Sequence, residues 1–144
     1  MGLIDSLKAL VGAGGARVQL DEPAAEGSAE AAVAALAVEV KQAIALELRE
    51  GSSRVALDAG LKTADLEGCT ELLTSAFGAP KKPFGARPAF DKQLTALIDS
   101  QGGIDTGQCL YLRRFADDRI AFAALWPWSN GVQITLKLGV YAEA

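Results

Sequence analysis

Residues 108–142 read QCLYLRRFADDRIAFAALWPWSNGVQITLKLGVYA, and this stretch decides the fold. Toward its end, Val132, Ile134, Leu136, Leu138 and Val140 alternate with Gln133, Thr135, Lys137, Gly139 and Tyr141. A period of two is the strand period, and it predicts one buried face and one wet face. The preceding segment, Ile120 to Trp126, is apolar at every position. Such a run suits a central strand covered twice, with Ile120, Phe122, Ala124 and Trp126 on one side and Ala121, Ala123 and Leu125 on the other. Cys109 to Phe115 mixes Leu110 and Leu112 with Tyr111, Arg113 and Arg114, which predicts a more exposed neighbour. Ala116-Asp117-Asp118 supplies a polar tip between the first two strands. Ser129-Asn130-Gly131 supplies residues that tolerate positive φ between the second and third. The reading is a three-stranded antiparallel meander.

Working upstream, two helices stand out. In the first, Leu66, Cys69, Leu73 and Phe77 line one face, with Leu72 beside them, Thr63 as the expected cap and Gly78 then Pro80 as the stop. In the second, Pro88 is expected in the first turn, Phe90, Leu94, Leu97 and Ile98 form the face, and Gly102-Gly103 closes it. Arg54 to Ala59, carrying Val55 and Leu57, reads as a further strand. Ser28 to Gly51 has two readings. Val33, Leu36, Val40, Ile44 and Leu48 share a helical face, with Ser28 as N-cap and Gly51 at C′. Leu36, Val38 and Val40, then Ile44, Leu46 and Leu48, also alternate as strands would, and then Ala43 to Arg49 would pair in a hairpin with Arg54 to Asp58 through a turn at residues 50–53. Helix is the expectation adopted.

At the start, Leu3, Ile4, Leu7, Leu10 and Val11 sit at helical spacing, followed by Gly12-Ala13-Gly14-Gly15. Residues 1–15 therefore read as an amphipathic helix with a glycine-rich link. Residues 16–28 read as a linker with a short strand possible at Arg17 to Leu20, and 29–144 as one domain. The expected class is α+β: a meander plus at least one further strand, packed against two to three helices, with an N-terminal helix on a linker.

Composition narrows the function. Half of the 144 residues are hydrophobic but only 6% are aromatic, so Ala, Leu and Val must fill the core. No run approaches the roughly 20 apolar residues that span a bilayer, and the opening residues lack a secretory signal pattern. Two cysteines do not make a disulfide framework, and a cytoplasmic location follows as the expectation. The net charge of −4 argues against nucleic acid. A lone lysine among residues 1–11 would hold an anionic membrane only weakly.

The chain contains no histidine. That removes Ser-His-Asp and Cys-His triads and histidine-ligated metals. Cys69 and Cys109, about 40 residues apart, do not make a zinc site, so no catalytic residue, metal or cofactor is expected. Two surfaces stay as contact candidates beside Leu3, Ile4 and Leu7. One is the proline-bounded loop carrying Lys81, Lys82, Phe84 and Arg87. The other is Trp126-Pro127-Trp128 at a strand exit, with Arg113 and Arg114 expected to flank the same edge. The function expected is a non-enzymatic interaction module that self-associates or binds a protein partner. The alternatives are a small-molecule-binding domain with an apolar or anionic ligand between sheet and helices, and an enzyme using Asp and Arg without histidine.

Overall fold

The apolar run at residues 120–127 becomes a strand with both faces covered, and the remaining elements assemble around it. The computed structural model describes residues 20, 22–49, 55–100 and 102–141. In chain order these form α1 (Ala29–Ala43), β1 (Glu47–Leu48), β2 (Val55–Lys62), α2 (Leu66–Phe77), α3 (Lys92–Asp99), β3 (Cys109–Arg114), β4 (Ile120–Pro127) and β5 (Gln133–Tyr141). The strands make one sheet in the order β1-β2-β5-β4-β3, and every neighbouring pair is antiparallel. The fold is α+β with the C-terminal meander intact. The proposed helix bearing Leu3, Ile4 and Leu7 lies outside the described residues.

Period-two alternation divides the sheet between two cores. On one face Ala121, Ala123 and Leu125 of β4, with Ile134, Leu136 and Leu138 of β5, pack beneath α1 and α2. Val33, Leu36 and Val40 descend from α1, and Cys69, Leu73 and Phe77 from α2. On the other face Leu110, Leu112, Ile120, Phe122 and Tyr141 meet Phe90, Leu94 and Ile98 at α3. Helices therefore cover both sides of the sheet.

Several expectations are corrected here. The outward face of β5 is not wet along its length: Tyr141 is buried and stacks on Phe122 at 4.3 Å between ring centroids. β3 is not the exposed strand its arginines suggested, because Leu110 exchanges backbone hydrogen bonds with Lys82, and Ala25 N–H donates to Arg114. Both readings are half right over residues 28–49, and the expected Gly51 stop and the turn at residues 50–53 lie outside the described residues. Ser28 caps α1, its Oγ accepting from Ala31 N–H at 3.2 Å, but the helix ends at Ala43. Ile44 is already extended, and the hairpin that follows pairs Glu47 with Gly60 and Leu48 with Ala59, a different register from the one expected. Thr63 does not cap α2. Its hydroxyl donates instead to the Gly131 carbonyl at 3.0 Å, and a 3-10 turn over Thr63–Asp65 leads into the helix. Pro88 precedes α3, whose cap is Asp91, accepting from Leu94 N–H at 2.8 Å.

The Ala116-Asp117-Asp118 tip holds, with Asp118 at φ 66°. Asp117 also reaches across the fold, its Oδ2 accepting from Ala29 N–H at 3.2 Å at the N-terminus of α1. A carboxylate there satisfies an orphan helix donor and opposes the helix dipole. Arg119 reinforces the contact through Glu30 at 2.6 Å.

Two predictions follow from the cores. Gly139 faces Phe122 so closely that a Cβ would lie 2.9 Å from two ring carbons. Gly139→Ala is expected to lower the urea unfolding free energy by about 1–3 kcal/mol through overpacking. Burial pushes both cysteine thiols from 9.0 up to about 11. The folded chain thus keeps thiol protons that the unfolded chain releases, so their stabilisation is complete below pH 9 and is lost as pH rises toward 11. Each thiol is expected to remove about 2–3 kcal/mol over that interval, measured as the fall in urea midpoint.

Candidate functional site

The period of two puts Trp126 on the α3 side of β4, directly opposite Thr135 of β5. Pro127 has no N–H to continue the ladder, so the strand stops and the chain turns. Trp128 N–H donates to the Gln133 carbonyl at 2.9 Å, while Asn130 Oδ1 accepts from Val132 and Gln133 N–H. The turn is therefore fixed, and with it the second indole.

Thr135 is the hub of this end of the sheet. Its hydroxyl is buried and accepts from Trp128 Nε1 and from Arg49 Nη1, each at 2.8 Å. Arg49 also lies over the Trp128 ring, 5.1 Å from its centroid. A second cation–aromatic pair sits beside the first, with Lys137 Nζ 4.6 Å from the Trp126 centroid. Stacked cations of this kind gain from the negative ring face while their charge stays available at the surface. Gly102, at φ +106°, presses on the far edge of Trp126, where a Cβ would meet Cη2 at 3.4 Å. Asp58, opposite Lys137, lies 3.9 Å from Arg49 Nη1. Among the described residues its Oδ1 and the Trp126 indole nitrogen are buried without a hydrogen-bond partner.

Of the residues singled out from sequence, Trp126 and Trp128 come together, and Trp128 stays 43% exposed. Arg113 and Arg114 do not join them. They pair with Ala121 and Ile120 at the other end of β4, about 16 Å away along the strand. The proline-bounded loop is also different from its expected form. Lys82 is only 1% exposed, and its ammonium donates to the carbonyls of Pro83 at 2.9 Å, Thr106 at 2.5 Å and Gln108. Burial pushes its pKa down, and the group pins two loops to the β3 edge rather than facing a ligand. Lys81 is engaged by Glu22 at 2.8 Å, leaving Arg87 and Phe84 exposed.

Arg49, Thr135, Lys137, Asp58 and Gly102 were not singled out from sequence. A signal existed for two of them, since Thr135 and Lys137 fall on the alternate face of a clear strand opposite Trp126. Arg49 carried none, because its place depends on the register of a two-residue strand.

Chemically, this surface can bind through aromatic and cationic groups. Both thiols are buried and protonated at neutral pH, which leaves them poor nucleophiles. Among the described residues no cluster of three metal-ligating side chains occurs, and no helix is long and apolar enough to cross a membrane. Between α1 and α2, Val33, Leu36, Phe77 and Phe115 help line a gap of about 20 Å³, room for about one water.

Thr135→Val keeps the side-chain shape and removes the shared acceptor. It is expected to cost about 1–3 kcal/mol in urea unfolding and to shift tryptophan emission to the red as Trp128 is released.

No protein-family model, curated protein or solved structure matches this chain.

Proposed function

We propose that this chain is a non-enzymatic cytoplasmic interaction module that self-associates and engages a protein partner through the tryptophan end of its sheet. The amphipathic sequence at residues 3–11 is the second contact element of this reading, and it rests on sequence alone.

The observation that carries the reading is the state of Trp128. A large aromatic side chain is 43% exposed, yet it is held by a hydrogen bond to Thr135 and by the Arg49 guanidinium against its ring. An exposed indole fixed before contact loses little conformational entropy on binding. Trp and Arg are also the side chains that most often dominate interface energies, especially when they adjoin. An enzymatic reading has less support, because the chain has no histidine and its cysteines are buried.

Native mass spectrometry of the untagged protein tests the proposal. A single multimer is expected, shifting toward monomer in Trp128→Ala and in a chain lacking residues 1–15. Monomer in all three, with an extra mass that disappears on denaturation, would replace this reading with a ligand-binding domain.

A further inference from the structure

We propose that the partner met by this surface is an acidic peptide segment in extended form, its alternate carboxylates taken by Arg49 and Lys137 and the methylene stems of those acidic side chains laid on the two indoles. The inference rests on the interaction-module reading and adds the chemistry of the partner.

Charge distribution is the first support. The chain carries −4 overall, yet the cations Lys62, Lys137 and Arg49 gather at this part of the sheet. The carboxylates beside them are Asp58 and Glu47. Asp58 has a side chain only 15% exposed and already lies near Arg49, so Glu47 is the exposed one. Asp99, at the end of α3, lies against Gly103 on the neighbouring loop.

The state of the two cations is the second support. Among the described residues no carboxylate lies within ion-pair distance of Lys137, whose ammonium rests on Trp126 instead. The Arg49 side chain is 33% exposed, and Thr135 and Trp128 fix its guanidinium before any partner arrives. A planar fork held this way suits a carboxylate, because bidentate geometry is gained at little further entropic cost.

Spacing is the third. Thr135, which anchors Arg49, and Lys137 are alternate residues of β5, about 7 Å apart. Side chains two apart in an extended peptide repeat at the same distance. Acidic residues at alternate positions of an extended peptide therefore point together at this face, and the residues between them point away from it.

The test uses the full-length protein and its two tryptophans, whose indole N–H signals in a ¹H–¹⁵N spectrum both report on this face. The probes are acetyl-Glu-Leu-Glu-Leu-Glu-Leu-amide, its Gln counterpart, and a ten-nucleotide oligothymidylate. The glutamate peptide should move both indole signals saturably, and less at high salt. Its Kd should rise about tenfold in Arg49→Gln and in Lys137→Gln. Among the described residues Lys137 makes no side-chain hydrogen bond, its ammonium resting on the Trp126 ring, so Lys137→Gln serves as the variant that stays folded. Equal shifts with the Gln peptide, tighter binding of the oligonucleotide, or no movement with any probe would each overturn the acidic-peptide assignment. If Trp128→Ala still breaks the native multimer in those cases, the interaction-module reading stands and only the partner chemistry falls. If it does not, both fall.

Discussion

A strand that is apolar at every position has to be covered twice, and β4 imposes that requirement on the rest of this molecule. Its two faces carry different shapes. Ala121 and Ala123 are small, so α1 and α2 can approach closely on their side. Ile120 and Phe122 are large, and they fill the space under α3. Each large apolar side chain buried in this way contributes about 1.5–3 kcal/mol. Bulk on one strand demands its absence on the next, and Gly139 supplies that opposite Phe122. Helices on both faces then leave the ends and edges of the sheet as the places where it can meet anything else.

The edges are managed unequally. β3 would expose a long row of backbone groups, a liability for edge-to-edge pairing. Short bridges from Lys82 and Ala25 cover it, and the Lys82 ammonium locks the cover by bonding three carbonyls. Burying an ammonium is costly, and it is tolerated only because each N–H finds an acceptor. At the opposite edge, β1 is two residues long, and the chain after it places Arg49 over the sheet face. One lysine is thus spent on closure, while one arginine is left presented. Both are basic side chains near a sheet edge, yet their environments assign them opposite roles.

Among the described residues, burial is incomplete toward the Trp126-Trp128 end of the α3 face. There the polar alternates of β5 are organised by neighbours rather than by solvent. Thr135 is the clearest case, a buried hydroxyl whose lone pairs receive an indole and a guanidinium. That convergence turns an ordinary strand threonine into the support for an exposed aromatic. The same period that builds the core also sets the spacing of Thr135 and Lys137, so the recognition surface inherits its geometry from the sheet.

The sequence by itself determined the class of fold, because period-two alternation, an all-apolar run and turn residues are local signals that survive without tertiary context. The meander, the faces of α2 and α3, the Asp117-Asp118 tip and the burial of both cysteines were all legible for that reason. Local signals failed where two periods overlapped: the helix ends at Ala43 although Ile44 and Leu48 continue its apolar spacing, and a strand follows at Glu47. They failed again at Thr63 and Lys82, whose polar groups found partners 68 and 24 residues away. Tertiary structure alone decided that the second face of β5 is covered, that Arg113 is far from the tryptophans, and that Arg49 joins them. Those outcomes depend on register and on strand order, and neither is encoded in the neighbourhood of the residues concerned.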